Sequence, residues 1–151
     1  MTEELRSETS PALDRAYRSD LLVRFAHCDP AGIVFYPRYL EMFNNVVEDW
    51  CRDELGISFA ELIPDAMGLP TVRLEVDFIA PSTLGEKLQA NLLVRAIGRT
   101  SFRLEILLRG PDGRDRVRGK VVLVMTDSRC KGGVPLSDEL KERLSRFLVA
   151  D

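Results

Sequence analysis

Residues 23–39, Val23-Arg24-Phe25-Ala26-His27-Cys28-Asp29-Pro30-Ala31-Gly32-Ile33-Val34-Phe35-Tyr36-Pro37-Arg38-Tyr39, change character twice. An alternating, strand-like pattern runs into Asp29-Pro30-Ala31-Gly32, an apolar run follows, and Tyr36-Pro37 opens a long helical pattern. Pro30 restricts Asp29 to extended geometry and Gly32 permits a positive φ, so the Asp-Pro-Ala-Gly segment predicts a sharp turn. One carboxylate, Asp29, therefore stands between a strand end and a helix start. The only histidine, His27, lies two residues earlier, on the same strand face if the strand continues that far.

Upstream, Leu21, Val23, Phe25 and His27 alternate with Leu22, Arg24, Ala26 and Cys28, a strand apolar on both faces. Residues 1–18 show no clean period and contain Thr9-Ser10-Pro11; they predict a flexible N-terminal arm ahead of a single domain over residues 19–151. Downstream, Pro37 suits the first helical position, and Leu40, Phe43, Val47, Trp50 and Leu55 recur near helical spacing up to Gly56, the expected stop. Such a helix of about 19 residues is about 28 Å long. Phe59, Leu62 and Ile63 predict a short second helix interrupted by Pro64.

From Thr71 the period becomes two, with apolar rows Val72 to Ala80, Leu88 to Ala96, Phe102 to Leu108 and Val117 to Met125. The links Pro81 to Glu86, Gly98 to Thr100 and Pro111-Asp112-Gly113 have hairpin composition, so these strands read as an antiparallel meander with one apolar face. Ser137 is a plausible cap for a closing helix through Leu140, Leu144, Phe147 and Leu148. A long helix lying on a curved five-stranded antiparallel sheet buries both apolar stripes, an α+β architecture.

The 151 residues suffice for one compact core and contain no apolar run long enough for a membrane span; the polar, acidic N-terminus is unlike a signal peptide, so a cytoplasmic protein is expected. Cys28, Cys51 and Cys130 are widely spaced without a CxxC pair, which indicates neither a disulfide framework nor zinc; buried small hydrophobes are expected. Net charge is −8 over residues 1–94, +6 over 95–131 and −1 over 132–151. The basic stretch fits a local anionic ligand better than nucleic acid; alternatively its arginines simply alternate outward on solvated strands.

Nucleotide-loop and GxSxG motifs are absent, and one histidine excludes the usual His-rich metal sites, which leaves carboxylate chemistry. An Asp facing a helix N-terminus can attack, or direct water at, a carbonyl polarised by free backbone N–H groups. Equally, an Asp-Pro turn can be only a turn, His27 a half-buried strand residue, and Glu48 and Asp49, the rival carboxylates, a solvated helix face.

The segment His27-Cys28-Asp29-Pro30-Ala31-Gly32-Ile33-Val34-Phe35-Tyr36-Pro37-Arg38-Tyr39, followed by a long helix and strands up to about Thr126, closely resembles the 4-hydroxybenzoyl-CoA thioesterase family of hotdog-fold acyl-CoA thioesterases. The resemblance implies hydrolysis of an acyl-CoA thioester without metal or cofactor, with Asp29 as nucleophile or general base. It also implies that the backbone N–H of Tyr36 polarises the carbonyl and that Gly32 lets the chain pass close to the substrate. His27 is left a supporting or structural place beside the substrate. Arg99 and Ser101, in a turn similar to a family stretch near the nucleotide, become candidates for coenzyme A phosphates, with Arg129 and Lys131 as further cations. Family members form dimers paired sheet edge to edge, frequently tetramers, with active sites at the interface. On the same resemblance the expected acyl group is an aromatic one such as hydroxybenzoyl or benzoyl, or nearly as well a short or medium aliphatic one. The competing expectations are a non-catalytic acyl-CoA or acyl-carrier binding protein and a dehydratase of the same fold.

Overall fold

The computed structural model describes residues 11–130 and 132–151. Strand β1 (Tyr17–Leu22) is followed by helix α1 (Pro37–Trp50), which continues as a π-helical turn through Cys51–Leu55. Gly56, at φ 68°, ends it in the left-handed conformation that glycine adopts without steric penalty. Then come the short α2 (Phe59–Leu62) and β2 (Met67–Gly68). The main strands β3 (Thr71–Phe78), β4 (Lys87–Ile97), β5 (Ser101–Arg109) and β6 (Asp115–Val124) follow, then β7 (Thr126–Asp127) and α3 (Asp138–Ser145). Among the described residues no helix is long and apolar enough to cross a membrane.

The expected α+β architecture is present: α1 lies on one face of a five-stranded antiparallel sheet of order β1-β4-β5-β6-β3. Helix residues Tyr39, Met42, Phe43, Val46, Val47 and Trp50 are buried against Leu88, Leu92, Leu104, Ile106, Val117 and Val121. Gly119 marks the closest approach, because a Cβ built there falls 2.7 Å from Cε2 of Phe43. Gly119→Ala must therefore push the Phe43 ring into a packed core, an overpacking cost of about 1–3 kcal/mol that should appear as a lowered midpoint in thermal denaturation. The C-terminal segment closes the other end of the core. Ser137 caps α3 by accepting the Leu140 N–H at 3.1 Å, as expected, and Arg143 Nη1 donates to the Leu55 carbonyl at 2.6 Å, capping the π-helical turn.

Several expectations need correction. The first strand ends at Leu22, and Phe25–His27 is a 3-10 turn, so His27 lies on no strand face. Pairing with β4 stops at Leu22↔Lys87, and beyond Val23 the chain satisfies its own donors, His27 N–H to Arg24 O at 2.9 Å and Cys28 N–H to Phe25 O at 3.1 Å. The expected arm of residues 1–18 falls partly outside the described residues; Pro11–Arg15 is a 3-10 helix and Tyr17 already begins β1. The strands are not a simple meander. β3 pairs with β6, so residues 79–86 cross the end of the sheet to reach β4 on its other side. Those eight residues span up to about 27 Å extended, ample for three strand spacings of roughly 4.8 Å. In the row Leu88 to Ala96, a bulge between Val94 and Ala96 turns Ala96 outward. Cys51 is buried as expected, which pushes its thiol up to about 12, but Cys28 is half-buried and Cys130 exposed.

Candidate active site

Asp29 sits at the tip of a small hairpin. Cys28 and Val34 form an antiparallel bridge, the Asp29 N–H donates to the Ile33 carbonyl at 3.0 Å, and the Gly32 N–H donates to the Asp29 carbonyl at 3.0 Å. Gly32 has φ 79°, the positive value that the turn chemistry requires. The Asp29 carboxylate is half-buried, and its Oδ1 accepts the Ala31 N–H at 2.8 Å. Among the described residues nothing donates to Oδ2. One oxygen thus fixes the side chain on its own turn while the other is open to react.

Just beyond the hairpin, Phe35 N–H donates to the His27 carbonyl at 2.9 Å, and α1 starts. Tyr36 already has helical φ −52° and ψ −37° and no side-chain cap. Arg38 and Tyr39 donate to the Phe35 and Tyr36 carbonyls and Pro37 has no N–H, so the Tyr36 N–H is left without an acceptor among the described residues. The pairing of Cys28 with Val34 folds the chain back after Asp29, and this donor follows on the returning strand, seven residues after Asp29. His27 does not join the pair: its Nδ1 accepts the Arg24 N–H at 2.9 Å and closes the 3-10 turn.

The outer strand of the hairpin rests on the sheet crossover. Val34 N–H donates to Ser82 O at 2.9 Å, Leu84 N–H to Gly32 O at 3.0 Å, and Ile33 bridges Thr83. Ser82 is fully buried and accepts the Tyr39 hydroxyl at 2.9 Å, tying the crossover to α1; burial pushes that phenol up. Burial alone raises the Glu86 carboxyl, but hydrogen bonds from Arg116 and Thr83 outweigh it and hold it below the usual glutamate range. Since the folded value is the lower one, this stabilisation is complete above the unfolded carboxyl's range and is lost as pH falls through the folded value.

From Tyr36 an apolar groove runs between α1 and β3. The Tyr36 and Phe78 rings meet edge to face with centroids 6.0 Å apart, and the cleft beyond is lined by Leu40, Phe43, Asn44, Thr71, Leu74 and Leu123. Its two polar side chains, Asn44 and Thr71, lie at the end away from Asp29. β3 is an edge strand whose expected apolar row is uncovered, with Val72, Leu74 and Phe78 exposed by 59%, 40% and 49%.

The structure does not bring Arg99 and Ser101 to Asp29 within one chain. Arg99 lies in the turn between β4 and β5 and Ser101 opens β5, beside the C-terminal end of α1, where Trp50 packs on Phe102. Asp29 lies at the helix's other end, about 21 Å away across the 14 residues of α1 at 1.5 Å per helical residue. Arg129 is engaged by Asp127 at 2.7 Å, whose carboxyl it pulls down to about 2, and Lys131 lies outside the described residues. Of the rival carboxylates, Asp49 pairs with Arg52 at 3.3 Å and Glu48 is exposed. Sequence reading missed Ser82, Glu86, Arg116, Asn44 and Thr71 as neighbours of the site. Only the spacing of Tyr36, Leu40 and Asn44, which share a helix face, signalled one of them.

The family model of the thioesterase-like superfamily matches residues 23–144. A 1,4-dihydroxy-2-naphthoyl-CoA hydrolase of Synechococcus elongatus is 25% identical over 130 residues, covering 85% of this chain and 94% of its own. Among solved structures, a gentisyl-coenzyme A thioesterase superposes with a TM-score of 0.75 at 26% identity, over 83% of this chain and 99% of that one. A 1,4-dihydroxy-2-naphthoyl-CoA thioesterase from Synechocystis superposes with a TM-score of 0.79 at 22% identity, over 86% and 96% of the two chains, a likeness of fold.

Proposed function

The chain belongs to the thioesterase-like superfamily, and on that premise we propose that it hydrolyses an acyl-coenzyme A thioester with a hydroxylated aromatic acyl group, using Asp29 as the catalytic carboxylate. The observation that carries this reading is the open Asp29 oxygen on a hairpin that leads directly into the unclaimed Tyr36 N–H at the start of α1, with an apolar groove between α1 and β3 beginning one helical turn on at Leu40. The thioester oxygen sits against the Tyr36 N–H and the positive end of α1, which take up charge as the carbonyl carbon becomes tetrahedral. Asp29 either attacks that carbon, expelling the coenzyme A thiolate and leaving an anhydride for water to cleave, or takes a proton from an attacking water and passes it to the departing sulfur. Both routes give the free acid and coenzyme A, and neither draws on a metal.

The groove supports the acyl class. Asn44 follows Tyr36 by eight residues, a rise of about 12 Å. Two hydrogen bonds of about 2.9 Å plus the roughly 6 Å between a thioester oxygen and a ring hydroxyl fill that length. An acyl ring would then lie on Leu40, Phe43 and Leu74 with its hydroxyl on Asn44 or Thr71. The two relatives with hydroxylated aromatic acyl substrates point the same way.

The exposed β3 edge serves as the joint to a second copy, forming the dimer from which larger assemblies grow. Antiparallel pairing of two β3 strands would lay the partner's β4–β5 turn end alongside this subunit's Asp29 end. Arg99 and Ser101 would then meet coenzyme A phosphates across the interface rather than within one chain.

A panel of aromatic and aliphatic acyl-CoA thioesters, read by free thiol, tests the function. Hydroxylated aromatic thioesters should turn over fastest, and Asn44→Leu should shrink the preference for hydroxybenzoyl-CoA over benzoyl-CoA by about tenfold or more. Tight binding without thiol release across the panel would make the protein a non-catalytic acyl-CoA binder.

A further inference from the structure

We propose that the Arg116–Glu86 ion pair is a positioning device for Asp29, acting through Thr83. The inference rests on the reading of Asp29 as the catalytic carboxylate. Arg116 belongs to β6, and its side chain is 6% exposed. Its guanidinium lies where a Cβ on Gly110 would stand, so the residue there has to be glycine for the arginine to adopt this path. Arg116 Nη2 donates to Glu86 Oε2 at 2.9 Å and is also paired with Asp112 at 3.1 Å. The other Glu86 oxygen, Oε1, accepts both the Thr83 N–H and the Thr83 hydroxyl at 2.7 Å, while the Glu86 N–H returns to the Thr83 carbonyl at 3.1 Å. The Thr83–Glu86 turn is thereby locked to the sheet.

That turn holds the hairpin. Thr83 bridges Ile33, its neighbour Ser82 accepts the Val34 N–H, and Leu84 donates to Gly32. Ile33 in turn accepts the Asp29 N–H. The contacts from Ser82, Thr83 and Leu84 fall on residues 32–34 and not on Asp29, so a shift of the turn moves the carboxylate relative to the Tyr36 N–H without breaking any contact of the carboxylate itself. A buried ion pair gives little net stability against an apolar replacement, but its directional bonds fix a register. A crossover long enough to take several paths is where such fixing has an effect.

The test compares Glu86→Gln, which keeps the acceptor and removes the charge facing Arg116, with Thr83→Val, which removes the hydroxyl, and Thr83→Ser, which restores it. In variants that retain the parental fold, Glu86→Gln and Thr83→Val should lower kcat by about tenfold or more with KM within roughly twofold, because small displacements of reacting groups cost rate rather than binding. Thr83→Ser should run at close to the parental rate. Amide hydrogen exchange at Asp29, Gly32 and Val34 should quicken in the same two variants and stay unchanged at Leu104 and Ile106. Unchanged exchange at the three hairpin amides overturns the brace, and quickened exchange with parental kcat overturns its role in catalysis. Exchange needs no substrate, so it decides the brace even if the parent hydrolyses no thioester, a result that would sink the thioesterase reading instead. Should Glu86→Gln fail to fold, the Val and Ser variants of Thr83 decide the matter.

Discussion

Asp29→Asn is expected to cut kcat/KM for the best thioester by about 10²–10⁴-fold while leaving the melting temperature close to the parental value. The substitution isolates the charge. Asparagine keeps the Oδ1 acceptor that receives the Ala31 N–H at 2.8 Å, and the backbone bonds of the hairpin, Asp29 to Ile33 and Gly32 to Asp29, do not involve the side chain. The turn should therefore persist with Gly32 in its positive φ. What disappears is the ability of the second oxygen to attack carbon or to accept a proton from water. Steady-state kinetics with thiol detection, beside thermal denaturation of the same preparation, measures both halves. A folded Asn variant working at the parental rate would remove Asp29 from the chemistry altogether.

Tyr36→Pro should lower kcat by about 10²–10³-fold, the usual cost of losing one donor to a developing oxyanion, whereas Tyr36→Ala should cost far less. The contrast works because the proposed donor is the backbone. Alanine removes the ring that packs on Phe35 and Phe78 but keeps the N–H; proline removes both. The native φ of −52° lies within the range that proline imposes, and the N–H it deletes bonds to no acceptor among the described residues. The helix consequently loses no internal bond, and a melting curve near that of Tyr36→Ala checks this. Equal kcat in the two variants would show that the substrate oxygen does not use this N–H.

Much of this site was legible because its chemistry is local. Pro30 and Gly32 act on the backbone of their own turn, Pro37 fixes the first helical residue, and Gly56 stops the helix; none of these effects waits for a partner elsewhere in the chain. The alternating rows of β5 and β6 were readable for a similar reason, since Phe102, Leu104, Ile106 and Leu108 all face α1 and the period of two is unbroken. His27 shows the limit. Alternation continued through it, yet the strand's partner ended at Lys87, and unpaired backbone donors turned the chain into a 3-10 turn that uses the imidazole as an acceptor.

The sequence by itself determined the α+β class, the long helix with its ends and the sharp turn that carries Asp29, because each follows from dihedral preferences and periodicity within a few residues. Only the tertiary structure decided that residues 79–86 cross the sheet instead of closing a hairpin, since turn composition is the same for both and the choice depends on which strand edges remain free. The same crossing brought Ser82, Thr83 and Leu84 against residues 32–34, and set Glu86 behind them on Arg116, thirty residues later in the chain. Contacts between segments so far apart arise from packing of the sheet and helix as a whole, which no local pattern encodes. The edge position of β3 was settled there too. It leaves an apolar row that alternation assigned to the core exposed at the boundary of a single chain.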